Sequence, residues 1–217
     1  ESQIGLYQFV EGEPIDSRSV TERDIEQMVG FAGRLKKLSR AKNADHLQRA
    51  AEACFSFEAL DQNIRGRLAR LEAAAGDTPS YSAFRSFLEK ELRVVLDTSV
   101  ERIKARVGST GWSAELARSA RTLSPSDFGF HNALRSPDGS VLLLDFEYFG
   151  WDDPAKLISD FVLHPAMELS DQAKHGYVRG LLECFVADAN LPERLALSYP
   201  LFAIKWCTIV LNEFVPD

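Results

Sequence analysis

The sequence predicts a mainly helical α+β domain, and three observations carry the prediction. Apolar residues recur at helical spacing through most of the chain. One compact β-prone run, SVLLLDF at 140–146, follows a tight turn. Strands and helices do not alternate, so a parallel sheet has no support. With 217 residues and 45% apolar content, the chain is long enough to bury a sizeable core.

The run IGLYQFV at 4–10 reads as an opening strand, and Glu11-Gly12-Glu13-Pro14 as a turn or extended connector. Ser19, with Glu22 three residues on, is the expected capping box of a helix over about 20–38. Ile25, Met28, Val29, Ala32 and Leu35 share one face of it. Helical patterns follow at roughly 45–75 and 80–107. The second places Phe84, Leu88, Leu92, Val95, Leu96, Ile103 and Val107 on one stripe. Trp112, Leu116 and Ala120 mark a shorter amphipathic helix. The texture changes at Leu123, where Ser, Pro, Gly and aromatic residues replace the helical repeat. Ser136-Pro137-Asp138-Gly139 is a turn joining 132–135 to 140–146 as a hairpin. Helices resume after Pro154 with Asp153 as cap, after Ser170 as N-cap, and over about 192–214.

Composition narrows the function classes. A formal charge of −7 argues against a nucleic-acid binder and permits a neutral or cationic small substrate. Cys54, Cys184 and Cys207 lie far apart without C-x-x-C spacing, so neither a disulfide framework nor a zinc site is expected. His46, His131, His164 and His175 lack ligand spacing. No secretory signal pattern opens the chain, and the apolar tract 195–211 is broken by Ser198, Pro200 and Lys205. A soluble protein of the reducing cytoplasm, with no membrane partner, is the expectation. The oligomeric state is not legible.

The chemistry-bearing residues gather at the hairpin. Asp127 lies five residues before Asn132 and eighteen before Asp145. The turn brings the loop before the first strand close to the end of the second, so the three converge. Magnesium takes hard oxygen ligands, which Asp145 and the Asn132 amide oxygen supply. A carboxylate left free of metal, Asp127, can accept the proton of an attacking hydroxyl. Taken singly, Asp127 and Asn132 are ordinary turn formers; the joint pattern makes them candidates.

The order D-x-x-x-x-N, turn, apolar strand, D-F-E resembles the signature of the aminoglycoside phosphotransferase and choline kinase group, small-molecule kinases related to protein kinases. The resemblance implies that Asp127 is the catalytic base and that Asn132 and Asp145 hold Mg2+. Asp127-Phe128-Gly129 is then a coincidental copy of the kinase metal tripeptide, and Asp145-Phe146-Glu147 is the metal motif. EYFGWDDPAKLISDF at 147–161 is similar to the family's acidic-aromatic-Gly-x-x-Asp-Pro segment, and YQFVEGEPI at 7–15 to its hinge strand and connector. This implies a kinase-like C-terminal lobe over 19–217, with the catalytic hairpin at 123–147, preceded by a hinge and connector at 1–18. ATP would then lie near Phe9 and Val10. The implied activity is transfer of the γ-phosphate to a hydroxyl of a sugar, aminoglycoside or amino alcohol.

Two departures qualify the match. Pro125-Ser126-Asp127 stands where the family has a His-Gly-Asp type triplet. No Gly-rich loop or phosphate-pairing lysine strand precedes Ile4, which implies a chain lacking the N-terminal lobe and binding nucleotide poorly alone. Glu147 either touches metal or substrate or faces solvent. Trp151 and Asp152 are candidates for an acceptor pocket, and Trp206, Asn212 and Glu213 are lesser ones. His131 suits a supporting hydrogen bond, Asp160 a structural role, and the basic run 34–42 a solvated helix end. A catalytically silent kinase-shaped binding module, a protein kinase and a plain helical scaffold are the rival readings. The protein kinase is disfavoured by the absence of an A-P-E element after Asp145.

Overall fold

The computed structural model describes residues 9–215, a mainly helical α+β arrangement with two small antiparallel sheets. Helix α1 (Glu22–Leu38) begins at Thr21, whose hydroxyl accepts from Asp24 N–H while the Asp24 carboxylate accepts from Thr21 N–H. The capping box therefore lies two residues beyond the Ser19–Glu22 pair expected, and Ser19 ends a separate 3-10 turn, Ser17–Ser19. Both pairs fit the local pattern. Asp24 prevails because Arg135 clamps its carboxylate at 2.5 and 3.0 Å, tying the helix start to the hairpin. Ile25, Met28, Ala32 and Leu35 are buried as their spacing requires. Lys36 departs from the solvated helix end expected for 34–42: it is buried, and its ammonium donates to the Ser119 and Arg121 carbonyls at 3.1 and 3.0 Å.

The helix expected over 45–75 is shorter. Lys42–His46 is a 3-10 turn, and α2 (Phe57–Glu72) starts only at the Ser56 cap. The intervening amides are used elsewhere: Ala50 N–H donates to Trp151 O at 2.9 Å and Ala51 N–H to Tyr148 O at 3.1 Å. The next stripe holds as one rod built of α3 (Pro79–Phe87), a π-helical turn at Leu88–Leu92, and α4 (Arg93–Ser113). Phe84, Leu88, Leu92, Leu96 and Val100 are all buried at four-residue steps. In a pure α-helix such steps drift by about 40° each, and the wider π turn takes up part of that drift. Val95, expected on the stripe, is exposed. The separate helix marked by Trp112, Leu116 and Ala120 does not form. Gly108, at φ 70°, kinks the end of α4, Trp112 remains in that end, and Leu116 N–H donates to Phe55 O at 2.6 Å.

The hairpin forms as expected. β3 (Ala133–Arg135) pairs with β4 (Val141–Leu143) around the turn at 136–139. The strand stops short of Phe146, and its last tie is Leu144 N–H to Asn132 O at 2.9 Å. β1 (Glu13–Pro14) adds to β3, so half of the expected connector is a strand. Residues 4–8 of the expected opening strand lie outside the described residues; Phe9 and Val10 are exposed and belong to no strand. A second pair, β2 (Thr122–Ser124) with β5 (Gly150–Asp152), was not legible because each strand is only three residues long. A side chain at Gly150 would meet Ala50 N and Gln48 O at 2.5 Å, so only glycine admits this close pass.

Helix α5 (Pro154–Leu163), capped by Asp153 as expected, is buried on nearly every side. α6 (Asp171–Cys184) starts at the Ser170 cap, and α7 (Leu191–Val210) follows. Leu191–Phe214 is long and apolar enough to cross a membrane by length and composition. Here it packs against α2, α4 and α5, with Leu201, Phe202 and Ile204 buried. One core joins α1, α5 and α6 with Phe128 and Phe130; another joins α2, α3, α4 and α7. The segment 125–132 runs over the first.

Candidate functional site

Asp127 sits between β2 and a 3-10 turn at Phe130–Asn132, with Phe128 and Phe130 pinning the segment to the core on either side. That anchoring fixes where the intervening polar residues point. His131 Nε2 lies 2.9 Å from Asp127 Oδ1, and the Asn132 amide donates to Asp127 Oδ2 at 2.9 Å and to its carbonyl at 3.1 Å. His131 thus has the supporting hydrogen bond expected of it. That bond chiefly holds the Asp127 carboxyl below its ordinary value, against a burial that works the other way. Asp127 is an anion with one donor on each oxygen, and its side chain is still 38% exposed.

Asp145 follows the end of β4 and is exposed, with φ 57°. The Asn132–Leu144 backbone bond holds it beside the Asp127 segment. Tyr148 reports that proximity: its phenol is pushed up first by a hydrogen bond to Glu147, and further by the charges of Glu147, Asp145 and Asp127. Asp127, Asn132, Asp145 and Glu147 are therefore brought to one end of the hairpin. Because the Asn132 NH2 is turned to Asp127, its Oδ1 is the atom left for a cation. Asn132 Oδ1 and the Asp145 carboxylate are hard-oxygen atoms of the kind magnesium takes.

Trp151 and Asp152 do not line an acceptor pocket; both are buried. Strand β5 carries them inward. Trp151 Nε1 donates to Ala44 O at 3.0 Å, and its ring lies 3.2 Å below the Arg118 guanidinium. Asp152 accepts from Lys156 at 3.1 Å. Asp160, structural as expected, lies 2.9 Å from the same ammonium and accepts from Trp206 Nε1 at 3.0 Å.

Sequence reasoning missed His164, Ser126, Lys156 and Glu52. His164 stacks on His131 with centroids 3.8 Å apart, and its Nε2 is 3.7 Å from Asp127 Oδ1. Asp127, His131 and His164 offer ligand atoms within 4.8 Å of one another, which raises a metal site. Proton placement speaks against one. Ala166 N–H donates to His164 Nδ1 at 3.1 Å, so the neutral ring carries its proton on Nε2, the atom a metal would need. His131 is hydrogen-bonded to Asp127, and His164 stacks on His131 beside them.

Burial, helped by the neighbouring His131, pushes His164 down from 6.5 to about 4, so it is neutral at pH 7. Between those values the unfolded chain binds a proton that the folded one does not. Its stabilising contribution is complete above pH 6.5 and is lost as pH falls toward 4, by about 3 kcal/mol. Asp152, raised to about 6 by burial, slopes the other way in part of the window, so the wild-type curve alone does not isolate His164. His164→Gln is expected to lose the His164 part of the slope, read as urea midpoints from pH 4 to 7. Parallel curves for the two proteins would refute the assignment.

Among the described residues, the non-glycine residues with positive φ are Glu52 (60°), Ser126 (71°) and Asp145 (57°), and all three border this site. Such backbone costs on the order of 1–3 kcal/mol per residue and persists where surrounding contacts over-determine it. Ser126 shows how: its Oγ donates to Ala51 O at 2.8 Å and accepts from Lys156 at 3.2 Å, while its N–H donates to Ser124 Oγ at 2.9 Å. A cavity of about 1010 Å³ lies between α1 and α6, and another of about 290 Å³ lies near Cys54 and Arg194. Neither is lined by Asp127, Asn132 or Asp145.

Compared with models of known protein families and with curated proteins, the chain matches none.

Proposed function

We propose that the protein is an ATP-dependent phosphotransferase acting on a hydroxyl of a small molecule, with a kinase-like C-terminal lobe as its scaffold. The observation that supports this reading is one buttressed carboxylate, Asp127, held by His131 and the Asn132 amide, with the Asn132–Leu144 backbone bond bringing the chain just before the exposed Asp145 alongside. Donors already occupy one lone pair of each Asp127 oxygen and aim the group. The remaining exposed lone pairs accept the acceptor's O–H hydrogen and orient its oxygen for attack on the γ-phosphorus. The new O–P bond forms as the bond from that phosphorus to the β,γ-bridging oxygen breaks. ADP leaves, and the proton goes to Asp127 or onward to solvent.

Asp127 has a lowered pKa, which suits a group that orients the hydroxyl and takes its proton late. Magnesium, held by Asp145 and Asn132 Oδ1, would neutralise charge on the phosphates when bound. A cytoplasmic setting supplies both ATP and the metal. The silent binding module is the second reading. Ser126 in place of the family's residue favours it.

The test is nucleotide binding by the protein. Wild type is expected to bind ATP only with Mg2+, and Asp145→Asn to lose at least tenfold of that metal-dependent affinity, as read by calorimetry. Metal-independent binding, or an unchanged affinity in Asp145→Asn, would sink the assignment of Asp145.

A further inference from the structure

Three arginines from separate segments meet where β2 begins. Arg121 immediately precedes that strand, Arg118 opens a 3-10 turn at Arg118–Ala120, and the backbone of Arg49 bridges to Trp151 in β5. Two buried rings hold them. The Arg118 guanidinium lies 3.2 Å from the centre of the Trp151 ring, and those of Arg121 and Arg49 lie 3.8 and 4.8 Å from the centre of Phe55. Trp151 and Phe55 are both buried, so each guanidinium is seated on a fixed surface before any ligand arrives. Arg49 Nη2 and Arg121 Nη2 also reach one and the same atom, Glu115 Oε1, at 2.6 and 3.4 Å.

The cluster carries more positive charge than its neighbours neutralise. Among the described residues, Glu115 and Asp45 are the carboxylates within ion-pair distance of it, Asp45 at 3.4 Å from Arg118. Lys36, on the carbonyls of Ser119 and Arg121, brings a fourth cation. Four cations thus face two carboxylates, in a chain whose formal charge is −7. Arg121 registers the imbalance: burial, with the charges of Arg49 and Arg118 adding to it, holds its pKa below the ordinary value, and Glu115 offsets this only in part. Arg65 and Arg194, against a burial that works the other way, are pushed up by their carboxylates instead. Donors also remain unused. Among the described residues, Nε and Nη1 of Arg49 and Arg118 and Nη1 of Arg121 make no hydrogen bond. Arg49 and Arg118 are 61% and 44% exposed, so those donors face solvent.

We propose that Arg49, Arg118 and Arg121 form a binding site for a phosphate group, either inorganic phosphate or the monoester of a small molecule. Charge and donor geometry select this class. The two positive charges left over match a phosphate dianion, and a carboxylate ligand would cancel only one of them. Guanidinium forks arriving from three segments can each address a different oxygen of a tetrahedral anion, whereas a carboxylate offers two oxygens in one plane. Glu115 is the internal competitor, because its Oε1 lies against the Nη2 groups of Arg49 and Arg121 that an incoming anion would also address. The inference does not depend on the phosphotransferase reading, which assigns none of these arginines a role.

Binding is measured by calorimetry at fixed ionic strength, without magnesium or nucleotide, so that metal-dependent binding at Asp145 does not contribute. The probes are inorganic phosphate and glucose 6-phosphate, with acetate and chloride as anions of lower charge. Saturable binding of phosphate, of the ester or of both is expected, and none of acetate or chloride. Equal affinity for the two phosphates identifies a site for the phosphate group alone; tighter binding of the ester shows that adjoining contacts also read its organic part. Arg49→Gln and Arg118→Gln are each expected to weaken binding by about tenfold. Arg106→Gln, which removes a surface arginine paired with Glu193, should change it by less than about twofold. Glu115→Gln should tighten it by about threefold, a gain that a folding defect does not imitate. Circular dichroism checks the fold of each variant. Four results overturn the inference: no saturable binding of either phosphate, wild-type affinity in both cluster variants, equal weakening in Arg106→Gln, or no tightening in Glu115→Gln.

Discussion

Asp127→Asn is expected to lower the rate of phosphoryl transfer by about 10³-fold while leaving Mg-ATP affinity within about twofold of wild type. The size follows from what the amide cannot do. It accepts no proton, and it cannot keep both present hydrogen bonds, because one end of the new group is itself a donor. Either the His131 Nε2–H or the Asn132 NH2 would then face an N–H2 at about 2.9 Å. The side chain rotates away or one neighbour is displaced, so both proton acceptance and aim are lost. Nucleotide affinity is spared because phosphate and metal contacts are assigned to Asn132 and Asp145. Steady-state transfer and calorimetry on the same preparation separate the two effects. A variant that keeps more than a tenth of the wild-type rate would remove Asp127 from the chemistry, and one that loses ATP binding would recast it as a nucleotide ligand.

Much of this site was legible because its parts lie within one hairpin. The spacing of Asp127, Asn132 and Asp145 around Ser136-Pro137-Asp138-Gly139 specifies a local object, and local geometry follows from turn chemistry and strand pairing. The long stripes of α1 and the α3–α4 rod were legible for the same reason, since periodicity is a local signal. What escaped was set by partners distant in sequence. Glu52 is fixed by Lys205 and the preceding Ala51 by Ser126, and residues 48–51 are not helical because they bond to 148–151. Thr21 outcompeted Ser19 as a cap through Arg135, over a hundred residues away. Trp151 and Asp152 stand beside the motif in sequence, yet the pairing of β5 with β2 turns them into the interior. One signal was available: Asp152, Lys156 and Asp160 are spaced by four from the end of β5 into α5, and both carboxylates meet one ammonium.

That ammonium carries the largest stability effect expected in the molecule. Lys156 is 2% exposed and sits 3.1 Å from Asp152 and 2.9 Å from Asp160. Burial works against its charge, but the two carboxylates outweigh it and push its pKa up, so it is protonated throughout the working range. Replacing it with methionine fills the volume and removes the charge. Asp152, fully buried, is then left with no cation against it, the situation in which breaking a buried pair costs about 3–5 kcal/mol. Lys156→Met is therefore expected to lose that amount in urea unfolding at pH 7, a large fraction of a typical domain's stability. The double variant Lys156→Met/Asp152→Asn should recover part of the loss, because it removes the stranded charge along with its partner. A second consequence reaches the site. Ser126 loses the donor that helps hold its left-handed backbone, so the aim of Asp127 loosens, and the turnover rate of whatever remains folded should fall more than its affinity for substrate. A loss under about 1 kcal/mol, or no recovery in the double variant, would mean that water enters the floor and solvates the carboxylates. In that case the strain at Ser126 would need another support, and the link from α5 to the Asp127 segment would be broken.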